Sequence, residues 1–170
     1  WKISRARIPW LTIGMIGGIL GAWVIVGFEG GISKVPALAF FIPLITAMGG
    51  NVGVQSSAIV VQSLARGDAQ LGSLWKKLGK ESMVAIVNGL LLSTIVYAIT
   101  LFFGSSTLGL AVSVSLFTVT LFAAVFGTLI PLVLDRYKID PALATGPFIT
   151  TLNDVLGLFI YFWIGQMILN

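Results

Sequence analysis

The sequence predicts an all-α integral membrane domain of five transmembrane helices, and three observations carry that reading. Of its 170 residues, 57% are hydrophobic and only 9% are charged, whereas a soluble domain carries roughly 25% charged residues because its surface must face water. Ten Lys/Arg, six Asp/Glu and no His cannot coat a globule of this size. The apolar residues also come in unbroken blocks, where an amphipathic soluble helix would show a stripe. A bilayer is the solvent that accounts for all three.

The first block covers residues 8–28, long enough to cross at about 1.5 Å per residue. The second, 35–64, is punctuated by Pro43 and by Gly49-Gly50-Asn51, a poor helix centre. The third and fourth are 82–103 and 108–134; the fifth, 141–169, is interrupted at Gly146-Pro147. Together they leave no room for a soluble domain, so residues 1–170 read as one membrane domain. Residues 67–80 are too polar to cross. They form either an ordinary loop or a short interfacial helix with Leu71, Leu74, Trp75 and Leu78 at the lipid boundary.

The connectors set the orientation. Lys2, Arg5 and Arg7 precede the first span, Arg66, Lys76, Lys77 and Lys80 lie between the second and third, and Arg136 and Lys138 follow the fourth. The alternate connectors hold only Lys34. Nine basic residues against one is a strong positive-inside signal. It places the N-terminus in the cytoplasm and the C-terminus outside, as expected of a multi-pass plasma-membrane protein.

Several chemistries are excluded. Without Cys or His there is no disulfide, no thiolate site and no soft-metal site. The basic residues sit between apolar blocks in no continuous patch, so the net charge of +4 does not point to nucleic acid. No nucleophile–base pair, metal triad or phosphate loop marks an enzyme. Gly49, Gly50 and Gly53 lie within an apolar helical pattern, away from any strand-to-helix phosphate loop.

Lipid tolerates ionisable groups poorly, and one that persists at membrane depth points to function. Asp154 lies 13 residues after Pro141 and 15 before Leu169, near the middle of the fifth span. A carboxylate at that depth costs about 2.5–3.5 kcal/mol on insertion scales. Every Lys and Arg is in a connector or at a span end, so no ion pair within one subunit is expected. A neutral hydrogen-bonded Asp, a proton carrier and a carboxylate facing a hydrated cation path all remain open.

Thr150 and Gly146 precede Asp154 by one and two turns on one helical face, and Gly157 and Tyr161 continue it. Pro147 lacks an N–H and crowds the carbonyl of Leu143, so the helix cannot be regular there. The break marks either a watery cavity or a proline kink between packed helices. On the second span Asn51 and Gln55 stack at i,i+4 with Ser56 close by. They mark an ion or substrate site, or an interface where small residues let helices approach. Asn88, Thr94, Thr118 and Thr120 are expected to make interhelical hydrogen bonds. Glu29 and Glu81 should stay wetted at span ends, and Asp140 reads as an N-cap before Pro141.

These stretches also carry a resemblance. PLITAMGGNVGVQS (43–56) and DPALATGPFITTLNDVLGLFIYF (140–162) resemble the two most characteristic stretches of the MgtE magnesium channels. Arg7-Ile8-Pro9-Trp10-Leu11, Leu64-Ala65 with Gly67, and Lys80-Glu81 resemble further parts of that family, in order along the chain. The resemblance implies a homodimer whose pore runs along the subunit interface, lined mainly by the second and fifth helices. It implies that Asp154 faces the ion with the backbone carbonyls of Gly146 and Thr150, and that Asn51, Gln55 and Gly157 line the path.

The transported ion would be Mg2+, bound mainly through its water shell. The residues alone ask for a hard divalent cation, and the choice among Mg2+, Ca2+, Mn2+ and Co2+ rests on the resemblance. Family members carry cytoplasmic regulatory domains before the first span. A chain that begins at Trp1, without Met or a cleavage pattern, is expected to be a piece lacking them. The competing functions are a proton- or Na+-coupled transporter of divalent cations using the same Asp154, and a membrane assembly module without transport.

Overall fold

Unbroken runs of Leu, Ile, Val, Ala and Gly can satisfy their backbone polar groups in lipid only by forming helices. The computed structural model describes residues 1–66, 71–102 and 106–169, and these form six α-helices and two 3-10 turns. The order is α1 (Lys2–Gly27), the short α2 (Glu29–Lys34), a 3-10 turn (Pro36–Phe41), α3 (Ile42–Ala65), α4 (Leu71–Leu101), α5 (Ser106–Arg136), a second 3-10 turn (Pro141–Ala144) and α6 (Pro147–Leu169). Five segments are long and apolar enough to cross a membrane: Arg7–Gly27, Pro36–Ala65, Lys76–Leu101, Ser106–Arg136 and Pro147–Leu169. They match the five expected spans to within a few residues, except where the fifth and third begin.

The fifth span is cut, not kinked. Asp140 caps the second 3-10 turn, its carboxylate accepting from the Ala142 N–H at 2.9 Å. Thr145 is then extended, Gly146 takes φ +79°, and Pro147 opens α6 as its first residue. Proline suits that position because its missing N–H would be unpaired there anyway. Asp154 is therefore the eighth residue of α6, about 10 Å from its start, and not the middle of a longer helix.

The second span behaves differently from the expectation. α3 runs unbroken through Gly49-Gly50-Asn51. The intrinsic cost of glycine in a helix, about 1 kcal/mol each, is offset by packing that only glycine permits. A Cβ built on Gly127 of α5 would lie 2.5 Å from the Gly53 carbonyl oxygen, and one built on Gly49 would lie 3.1 Å from Val119 Cγ1.

The third span also departs from expectation. Residues 67–70 and the side chains of Leu71, Leu74 and Trp75 lie outside the described residues. The backbone from Leu71 to Lys80 is neither a loop nor a separate interfacial helix, because it is the first part of α4 and continuous with the span. Lys77 in this segment donates to Ser63 Oγ of α3.

α5 is the central helix. Half of its apolar window is buried, against 11% of that of α1. It packs against α3, α4 and α6, while α1 rests on α6. Leu38, Phe41, Ile45, Val96, Leu108, Val112, Leu116, Val119, Leu158, Tyr161 and Phe162 form one apolar core. This core joins the starts of the second and fourth spans to the ends of the third and fifth. The Tyr161 hydroxyl, fully buried, donates to the Leu38 carbonyl at 2.8 Å and ties α6 to the first 3-10 turn. Large apolar side chains such as Leu11, Trp23, Leu91 and Trp163 point outward, a surface stable in lipid and not in water.

Candidate functional site

The opposite half of the bundle carries glycine and polar side chains in place of the apolar core. Gly146, Thr150 and Asp154 follow one line along the start of α6, and each is partly buried. The Gly146 carbonyl accepts from the Thr150 N–H at 3.1 Å and from Thr150 Oγ1 at 3.3 Å, so it points along the axis of α6. Thr150 Oγ1 also lies 3.1 Å from the Pro147 carbonyl. The start of the helix is thus closed on itself by one threonine.

α3 crosses α6 at Gly50. A Cβ there would lie 3.6 Å from Thr150 Cγ2 and 3.7 Å from Asp154 Oδ1, so the bare glycine leaves the carboxylate close to the α3 backbone. Among the described residues, the Asp154 carboxylate makes no ion pair or hydrogen bond. On its other side a groove of about 300 Å3 opens between α1 and α6, lined by Gly17, Gly21, Thr46, Thr151, Asp154 and Leu158. Hexahydrated Mg2+ needs roughly 180 Å3 at about 30 Å3 per water, which this space can supply.

Asn51 and Gln55 are not covered by the chain's own helices, though Gln55 borders a small pocket against α4 and α5. They are exposed on one face of α3 with Pro43, Ala47 and Ile59, each four residues from the next. Gly50 brings that face into the neighbourhood of Asp154. Gly157 lies elsewhere: it is buried, and a Cβ there would meet Val119 Cγ1 at 3.3 Å and Ile45 Cγ2 at 4.0 Å. Tyr161 is likewise in the core. The face shared by Gly146, Thr150 and Asp154 is separate from the buried face of Ile149, Asn153 and Gly157.

Other expected partners are resolved differently. Thr94 and Thr118 donate to carbonyls of their own helices, Leu90 and Val114, each at 2.8 Å, instead of across helices. Glu81 is partly buried against α3 and accepts from Ser56 Oγ at 3.3 Å.

Two residues at the crossing of α3 and α6 were not legible as such in the sequence. Gly50 acts by what it lacks, and nothing local distinguishes it from Gly49. Asn153, beside Asp154 in the chain, is 3% exposed and packs over Gly53 with its Nδ2 unpartnered. Its polarity was visible, but which face it takes is set by the crossing of α3 and α6.

Comparison with known proteins identifies the family. A family profile described as "MgtE: Divalent cation transporter" matches residues 42–164, which include both α3 and α6 up to Ile164. The chain is 36% identical over 165 residues to the magnesium transporter MgtE of Bacillus subtilis, covering 96% of this chain and 37% of that protein. It is 35% identical over 165 residues to the Thermus thermophilus protein of the same name, covering 97% and 37%. For the Enterococcus faecalis protein of that name the identity is 34% over 170 residues, covering 99% and 38%. The chain therefore spans less than two-fifths of the length of these relatives, which are transporters and not enzymes by name. With five apolar helices, two of them crossing at Asp154, the chain is a multi-pass membrane protein and belongs to the MgtE family of divalent cation transporters.

Proposed function

We propose that this domain passes hydrated Mg2+ across the plasma membrane, through a path between two copies of the chain. The observation that carries the proposal is the Asp154 carboxylate, without a protein partner among the described residues and facing the bare glycine of a second helix. The outward Asn51–Gln55 face of α3 gives the second copy a polar surface to meet. The relatives' names supply the choice of ion.

Mg2+ holds its waters at 2.0–2.1 Å and gives them up reluctantly. A carboxylate that recognises the ion through that shell stands about 4–5 Å from the metal, once a hydrogen bond of about 2.8 Å is added. Two Asp154 side chains across a dimer axis would then face each other over about 9 Å and balance the dication. At an effective dielectric near 20 each attracts the ion by several kcal/mol before desolvation. Attraction of that size through water holds an ion briefly and lets it leave, as conduction requires. Gly146 and Thr150 set the start of α6 and hold Asp154 in position, with Asn51 and Gln55 hydrogen-bonding to the ion's waters. Net charge on the connectors orients the N-terminus to the cytoplasm.

The test is Mg2+ entry into liposomes carrying a trapped indicator, for the chain itself and for Asp154→Asn and Asp154→Ala. Loss of flux of at least about a hundredfold in folded, dimeric variants is the expected result, since removal of a charged partner costs about 3 kcal/mol or more. Undiminished flux in both variants would make Asp154 structural. Flux that appears only with an imposed proton or Na+ gradient would convert the channel into a coupled transporter.

A further inference from the structure

Where α6 crosses α3 it presents two neighbouring rows of side chains at four-residue spacing. Thr150 and Asp154 form a partly buried row, and Ile149 and Asn153 form the buried row beside it. The glycines of α3 meet one row each. A Cβ on Gly50 would lie 3.6 Å from Thr150 Cγ2 and 3.7 Å from Asp154 Oδ1. A Cβ on Gly53 would fall on the Asn153 amide and lie 2.9 Å from Ile149 Cγ2. The α3 backbone therefore lies in the groove between the two rows, the arrangement that fixes how one packed helix sits on another.

The two rows are not held alike. Asp154 meets Gly50 at ordinary van der Waals range and makes no hydrogen bond among the described residues. Asn153 is 3% exposed, and its amide fills the hollow that the bare Gly53 leaves. It also runs back along α3, its carbonyl oxygen and Cβ 3.7 and 3.8 Å from a Cβ built on Gly49.

The hollow has a firm floor. Gly127 of α5 stands behind Gly53, so close that a Cβ on Gly127 would lie 2.5 Å from the Gly53 carbonyl oxygen. Turning α6 one way drives the amide into backbone that cannot retreat, and turning it the other way empties the hollow. Close-packed interiors resist both. Asn153 Nδ2 has no hydrogen-bond partner among the described residues, so the amide acts here by its shape. Asn153 and Asp154 are successive residues of one helix, about 100° apart around its axis, and what fixes the first fixes the direction of the second.

We propose that Asn153 is a positioning residue for Asp154: seated over Gly53, it sets the rotation of α6 and so the place at which the carboxylate meets a passing dication. The proposal rests on Asp154 as the contact for the ion, and its own content is that shape at position 153 tunes that contact.

Mg2+ entry into liposomes, measured against Mg2+ concentration and per folded protein, tests it. A purely structural role would lower the maximum rate and leave half-saturation unmoved. Asn153→Ala empties the hollow and should raise half-saturation about tenfold, the lower end of what loss of an outer-shell group costs a metal site. Asn153→Leu has nearly the same shape without the amide and should stay within about twofold of wild type. Asn153→Gln keeps the amide but is one methylene too long for the hollow, and should shift as Asn153→Ala does. If Asn153→Ala does not fold, the contrast between Leu and Gln decides. Unchanged half-saturation in Asn153→Ala, or a shift in Leu and not in Gln, would overturn the positioning role while loss of flux in Asp154→Asn kept Asp154 as the ion contact. Wild-type flux in Asp154→Asn would remove that contact, and the role of Asn153 with it.

Discussion

The second and fifth spans open with the same four residues, Pro-Ala-Leu-Ala, at 36–39 and 141–144, and in both they form a 3-10 turn. The residues after each turn set them apart. Ala39 leads into Phe40, Phe41 and Ile42, with Phe41 and Ile42 in the right-handed helical region, and the turn flows into α3. Ala144 leads into an extended Thr145 and a left-handed Gly146, and the chain turns before α6 begins. The first turn is held from above by Tyr161, which grips Leu38. The second is capped locally by Asp140 and by Thr145 Oγ1, which donates to the Ala142 carbonyl at 2.7 Å. Both turns pack against α3 and α5, but the first is hydrogen-bonded from a distant helix and the second by its own side chains, and the locally bonded one lies beside the candidate ion site.

That contrast can be broken in order of expected effect. Gly127→Leu should be the most damaging, because its Cβ would press on the Gly53 backbone, which cannot move aside. Overpacking of this kind costs about 3 kcal/mol or more, and the expected outcome is loss of folded, monodisperse protein in size-exclusion chromatography. Tyr161→Phe leaves the Leu38 carbonyl without its donor in a buried place, at a cost of about 1–3 kcal/mol, read as a lower unfolding midpoint with Mg2+ flux retained.

Gly146→Ala forces a Cβ into φ +79° and should cost about 1–2 kcal/mol; Gly146→Asn should recover part of it, since Asn tolerates that region. Equal stability of the Ala and Gly proteins would show that the break before α6 does not depend on the left-handed residue. Gly50→Ala is the gentlest, within about 0.5 kcal/mol of wild type or slightly stabilising, because its Cβ meets only ordinary contacts. Its effect should appear in transport, since one of those contacts is Asp154 Oδ1.

Much of this architecture was legible in the residues. Five apolar blocks became five helices because each must satisfy its own backbone in lipid. The break at Gly146-Pro147 followed from local chemistry, as did the cap at Asp140. The line of Gly146, Thr150 and Asp154 followed from helical spacing. The extension of that line to Gly157 did not hold as a shared face, because α5 covers Gly157 through Val119. The break expected at Gly49-Gly50 also did not form, since helix propensity is a weak prior against close packing on α5 and α6. Gly53, Gly127 and Asn153 are up to 100 residues apart in the chain, and no spacing rule joins them.

What the sequence determined by itself is what acts within one helix or between a helix and its solvent: the number of spans, their lengths, the caps and breaks, and an acid where lipid does not tolerate one. Those effects depend on neighbours a few residues away and on the apolar medium. Which face of each helix is buried, which glycine admits Asp154, and which buried hydroxyls are left without a partner were decided only in the tertiary structure. They depend on the few ångströms by which one helix crosses another, and that distance is a property of the packed pair.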